Sequence, residues 1–149
     1  HGEVYSSVVE RFAAGVTLLQ DHCPGLVGRI EKGDLQGPET EAILRKALIP
    51  MLEKGADTIV LGCTHYPFVI PLIRRIAGPA VRVIDPAPAI ARQTHRLLEE
   101  HGLLGDKSEP APLRLLTTGS AEALASVLPI LLAESHTVES VNWQENHLV

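Results

Sequence analysis

Basic clusters, long apolar runs, aromatic residues and cysteines are all scarce in this sequence, and the scarcities narrow its function. Thirteen Lys and Arg stand against eighteen Asp and Glu, a formal net charge of −5, and no Lys/Arg run forms. A nucleic-acid partner ordinarily meets a basic stripe, so that class is set aside. No apolar stretch approaches the length needed to span a bilayer, and the greasy segment Ala125–Ala133 is interrupted at Pro129. Two cysteines in unlike surroundings, with nothing secretory before them, do not make a disulfide scaffold. They imply a reducing, cytoplasmic setting. Internal repeats are absent, and the only biased segment is the short polar stretch Gly105–Pro112. The first residue is His1, which reads either as an imposed boundary or as a sign of missing upstream sequence.

What is present is the profile of a globular protein: 45% hydrophobic, 21% charged and 3% aromatic residues over 149 positions. That length suits one modest domain or pieces of two. Helical spacing marks Tyr5–Ala14, and a branched run marks Val16–Gln20 as a strand ending in the breaker Asp21-His22-Cys23-Pro24. Glu39–Lys54 reads as a helix with Ile43, Leu44, Ala47, Leu48, Met51 and Leu52 on one side, which Pro50 should kink or cut. Asp57–Gly62 suits a buried parallel strand, Pro67–Ala77 a helix and Val81–Ile84 a strand. Ala87–His101 reads as an amphipathic helix with Ile90, Ala91, Thr94, Leu97 and Leu98 on its inner face. Leu113–Leu116 follows as a strand, Ser120–Ala133 as a helix capped by Ser120, and Thr137–Val141 as a last strand. This alternation predicts an α/β fold with parallel strands and helices on both faces. Ligands then gather at the carboxyl ends of strands, just after Gln20, Gly62, Ile84 and Leu116.

Chemistry concentrates in Leu61-Gly62-Cys63-Thr64-His65-Tyr66-Pro67-Phe68. Cys63 falls at a strand tip, Gly62 permits a tight turn, and Pro67 suits the first turn of a helix. Free backbone N–H groups at a helix start favour a thiolate and could hold a carboxylate. Thr64 adds a hydroxyl, and His65 a group able to exchange protons near neutrality. An inert buried cysteine beside a structural histidine fits the position equally well. A metal site does not: Cys-x-His is a poor local ligand pair, and no second pair follows at a familiar spacing.

Residues 55–67, Gly-Ala-Asp-Thr-Ile-Val-Leu-Gly-Cys-Thr-His-Tyr-Pro, resemble the second cysteine motif of bacterial glutamate racemases. Cys23-Pro24-Gly25-Leu26-Val27 with Ile30-Glu31-Lys32-Gly33, Val83-Ile84-Asp85-Pro86-Ala87 and Thr117-Thr118-Gly119 resemble further family segments in the same order. The resemblance covers nearly the whole chain and weakens after about residue 140. It implies Rossmann/flavodoxin-like three-layer domains, with residues 1–86 supplying most of the second domain and 87–149 returning to the first. It also implies cofactor-independent exchange of L- and D-glutamate, supplying D-glutamate for peptidoglycan. Two cysteines flank the α-carbon, one removing the proton while the other delivers one to the opposite face. On this template Cys63 serves the L-glutamate face, His65 assists it, Thr64 binds substrate and Glu31 lies nearby. Judged without the family, Glu31 is an ordinary solvated charge.

The family's upstream Cys-Asn-Thr segment and its Asp-Ser pair do not occur in this sequence. Cys23 is no substitute, because its Cys-Pro context suits packing at a strand end. The expectation is therefore one half of a catalytic pair, inactive by itself. No pyridoxal phosphate is needed, since thiol bases replace its electron sink and Lys32, Lys46 and Lys54 sit in ordinary solvated contexts. Two competing functions stay open: a thiol hydrolase or acyltransferase using Cys63 and His65, for which no third orienting residue is evident, and a non-catalytic amino-acid-binding domain. The turn Thr117–Ser120 reads first as a helix cap and second as an anion contact. Trp143 faces either the sheet or an oligomer partner such as a second copy of the chain.

Overall fold

The computed structural model describes residues 3–105 and 112–149, so most of the polar stretch 105–112 lies outside the described residues. The elements in chain order are α1 (Glu3–Phe12), α2 (Leu26–Ile30), α3 (Pro38–Glu53), β1 (Thr58–Val60), a 3₁₀ turn (Tyr66–Val69), α4 (Ile70–Ala77) and β2 (Arg82–Ile84). Then follow α5 (Ala87–Glu100), β3 (Leu115–Thr117), α6 (Ala121–Leu132), β4 (Val138–Ser140), β5 (Trp143–Gln144) and β6 (His147–Leu148). Strands β1 and β2 run parallel, with Thr58 opposite Arg82 and Val60 opposite Ile84. A second parallel pair joins β3 to β4, with Leu115 opposite Val138. The α/β alternation of the sequence is thus realised, with a helix between the strands of each parallel pair.

The core forms where α2, α3 and α4 meet the first sheet. Leu26 and Ile30 of α2, Leu44 and Leu48 of α3, Leu61 after β1, Val69, and Leu72 and Ile73 of α4 form one buried cluster. The 3.6-residue period explains α3: Leu44, Ala47 and Leu48 fall on one stripe and are buried. Gly37 in extended geometry precedes α3, Pro38 opens it, and Glu39 and Glu41 lie in the first turn, where the helix dipole favours acids. Pro50 does not end this helix. It lies in the last turn, where one missing backbone bond is tolerated before the chain leaves at Lys54.

Four expectations are corrected. Val16–Gln20 forms no strand: among the described residues no strand lies paired with it, and Val16 and Leu18 stay exposed. A strand needs a hydrogen-bonded neighbour as well as branched side chains. Strand β1 is parallel but not buried, since Val60 is 64% exposed. Helix α5 forms as expected, yet among the described residues none of its side chains is buried, and Ile90, Leu97 and Leu98 are exposed. Finally, the helix after Cys63 begins as a 3₁₀ turn, and regular α-helix starts only at Ile70.

Helix α6 carries the expected cap, Ser120 Oγ accepting from the Ala123 N–H at 3.0 Å. The closing β5–β6 hairpin was not foreseen. Its turn places Glu145 at a φ of 52° rather than using a glycine, so no sequence signal marked it.

Candidate functional site

The turn from β1 toward α4 presents Cys63, Thr64 and His65 in succession. Leu61 anchors its start, buried in the core with its N–H bonded to the Ile84 carbonyl at 3.1 Å. Tyr66 and Phe68 N–H groups close back onto the Cys63 and His65 carbonyls at 3.3 and 3.2 Å. Those tight bonds make the 3₁₀ turn that follows. Tyr66 adds a tether: its hydroxyl donates to the His22 carbonyl at 2.8 Å, joining this turn to the breaker before α2. Burial, then the neighbouring Cys23 and Cys63 thiols and Asp21, push the Tyr66 phenol upward.

His65 is the hub. Its Nε2 lies 3.2 Å from Glu31 Oε1, while its Nδ1 lies 4.0 Å from Cys63 Sγ and 3.4 Å from Thr64 Oγ1. A carboxylate only accepts hydrogen bonds, so Glu31 selects the tautomer with the proton on Nε2. In that tautomer the Nδ1 lone pair faces the thiol and the Thr64 hydroxyl, which compete for it. The four residues singled out in the sequence are thereby drawn together, although Glu31 is 34 positions from His65. The third orienting residue that seemed absent for His65 is Glu31 itself. With side chains 34% and 61% exposed, His65 and Glu31 form a solvent-screened pair worth ~0–1 kcal/mol of stability. Its value lies in orientation.

Cys23 is a different thiol. It packs against the core, adopts a φ of 42°, and receives support at its N–H from Asp21 Oδ1 at 2.7 Å. Burial first, then the Asp21 carboxylate, push its thiol up to about 11, so it stays protonated at neutrality.

A cavity of about 600 Å³ opens beside this line. Glu31, Thr64 and His65 form one polar edge, and Thr117, Gly119 and Ser120 the other. Phe68 and the α6 side chains Leu124, Val127 and Leu131 supply apolar walls. The 117–120 turn, an anion contact as a second reading of the sequence, lines the cavity together with Phe68 and an α6 wall that leaves no local signal in the sequence. Among the described residues no cluster of three or more His, Cys, Asp or Glu could hold a metal ion. No helix among them is long and apolar enough to cross a membrane.

The family model described as Asp/Glu/Hydantoin racemase matches residues 1–94. A glutamate racemase of Pseudomonas aeruginosa (strain UCBPP-PA14) is 43% identical over 134 residues, covering 90% of this chain and 50% of that protein. One from Roseiflexus sp. (strain RS-1) is 42% identical over 128 residues, covering 85% and 47%. The chain thus spans about half the length of the curated relatives it matches. Among solved structures, glutamate racemase from Thermus thermophilus in complex with beta-chloro-D-alanine superposes with a TM-score of 0.71 at 30% identity, over 93% of this chain and 52% of that one. Glutamate racemase from Francisella tularensis in complex with D-glutamate gives a TM-score of 0.81 at 24% identity, over 96% and 53%, a likeness of fold alone. On the family match across residues 1–94, the chain belongs to the Asp/Glu/hydantoin racemase family.

Proposed function

We propose that this chain supplies one of the two proton-transfer faces of a cofactor-independent glutamate racemase, which provides D-glutamate for peptidoglycan. The observation that carries the reading is the line Glu31–His65–Cys63, with the imidazole 3.2 Å from the carboxylate and 4.0 Å from the sulfur. Cys63 is the base for the L-glutamate α-proton and, in the reverse direction, the acid that returns it. His65, held by Glu31, takes up the thiol proton when Cys63 must act as base. Thr64 offers its hydroxyl to the substrate carboxylate. On this reading the opposite base is supplied from outside residues 1–149, since the second thiol present, Cys23, packs against the core.

The same reading assigns residues 1–86 to one α/β domain and 87–149 to a segment returning to another, with Asp85-Pro86 as the crossover. Two observations support it. The parallel pairs β1–β2 and β3–β4 form separate sheets on either side of α5, and α5 leaves its apolar face exposed. Cytoplasmic residence fits two free thiols, and assembly with a second copy would cover Trp143, which is 64% exposed.

The test incubates the chain with L-glutamate in deuterated water, alone and with the amino-terminal half of the Pseudomonas aeruginosa relative. Alone, it should not racemise; combined, it should produce α-deuterated D-glutamate, and Cys63→Ser should abolish this. Efficient racemisation by the chain alone, or by the Cys63→Ser combination, overturns the reading. The acyltransferase alternative gains support from Glu31 as orienting residue. It requires a burst of acyl-enzyme on Cys63, whereas racemisation requires α-proton exchange without acylation.

A further inference from the structure

Glu31 reaches His65 from an unpromising platform. It caps α2, a helix of five residues, and its side chain is 61% exposed. A helix so short has little stability of its own. The orientation of Glu31 therefore depends on what fixes the turn around it. That turn is closed by Asp34, which engages both partners of its backbone and both oxygens of its side chain. Oδ2 accepts from Arg29 Nε at 2.9 Å and Nη2 at 2.5 Å. Oδ1 accepts from the Gly37 N–H at 2.7 Å. The Asp34 N–H donates to the Arg29 carbonyl at 3.0 Å, and its carbonyl accepts from Thr40 Oγ1 at 2.9 Å.

Arg29 precedes Glu31 and Asp34 follows it, so these bonds close a ring with Glu31 inside. Gly37 and Thr40 then fasten the ring to the start of α3. Thr40 is fully buried, and a side chain at position 37 would collide with Asp34 Oδ1, which explains the glycine there. Glu39 completes the set by pairing with Arg29. The Arg29 guanidinium, with help from Gly37, holds the Asp34 carboxyl below the usual carboxylate range.

We propose that Asp34 is a positioning residue for the Glu31–His65–Cys63 line, acting through Glu31 by locking the 29–37 turn onto α3. The proposal rests on the reading of His65 as the partner of Cys63. Its decisive feature is that Asp34 touches neither His65 nor Cys63 in the contacts described above, so its influence should vanish when Glu31 cannot transmit it.

The experiment measures the ¹⁵N tautomer signature of His65 by NMR on the full chain, and the iodoacetamide alkylation rate of Cys63 at fixed pH. Variants are Asp34→Asn, Glu31→Gln and the two combined. Asp34→Asn and Glu31→Gln should each shift His65 from the Nε2–H form toward a mixture. Each should change the Cys63 rate by roughly threefold, the scale a solvent-screened ion pair supports. In the Glu31→Gln background, Asp34→Asn should add nothing. Arg29→Lys, which keeps the charge but loses the planar fork, should give a smaller shift in the same direction and guards against an Asp34 variant that fails to fold. An unchanged His65 signature in Asp34→Asn, or an Asp34→Asn effect that persists without Glu31, overturns the proposal. A wild-type signature in Glu31→Gln overturns the relay itself. A failed racemisation assay with an intact, Asp34-dependent signature removes only the enzymatic reading.

Discussion

Raising pH should reveal Cys23 as the sluggish thiol of this protein. Burial, the Asp21 carboxylate, a hydrogen bond to Asp21 and nearby Cys63 raise it from 9.0 to about 11. At pH 8 a thiol titrating near 9 is about one-tenth thiolate, and one near 11 about one-thousandth, a factor of roughly 100. The thiolate of higher pKa is intrinsically the better nucleophile, with a Brønsted slope of about 0.4–0.5, which restores roughly tenfold. The net expectation is alkylation about tenfold slower in the folded chain than in denaturant, before any steric hindrance from core packing. Peptide-resolved mass spectrometry after timed iodoacetamide labelling measures it. Equal rates for Cys23 at pH 8 with and without denaturant would refute the reasoning. The same shift has a stability consequence. A raised thiol pKa means that the folded state favours the protonated form, so its contribution is complete below pH 9.0 and is lost as pH rises through about 11. The melting temperature should fall across that window, and less so in Cys23→Ala.

Two further predictions concern the framework of the site. Leu72→Ala removes a side chain with no exposed surface at the centre of the core and should cost about 2–5 kcal/mol in urea unfolding; a cost below about 1 kcal/mol would place the core elsewhere. Gly33→Ala should cost ~1–2 kcal/mol, because φ there is +74° and the added carbon would meet Ile130 Cδ1 at 2.7 Å. In an Ile130→Ala background most of that cost should remain, because the Ile130 methyl can swing aside and the strain lies in the backbone; a cost that vanished there would refute the backbone account.

Features that arise within a few residues of each other were legible in the amino-acid order. The 3.6-residue stripe of α3, the Ser120 cap, the amphipathic α5 and the strand–Gly62–Cys63 turn were all legible, because each is set by backbone propensity and near neighbours. Cys63, Thr64 and His65 were legible as chemistry for the same reason, and the racemase resemblance rested on that contiguous run. Tertiary structure decided everything that needs a distant partner. Among the described residues, Val16–Gln20 has strand composition but no strand beside it, and α5 has an apolar face with no side chain buried. Glu31 was marked by the family resemblance alone and is an ordinary solvated charge without it; the packing of α2 beside the 3₁₀ turn brings it within 3.2 Å of His65, 34 residues away. The Asp34 ring and the α6 wall of the cavity were invisible on the same ground. Side chains meet there through loop closure and helix packing, and neither leaves a periodic mark in the chain.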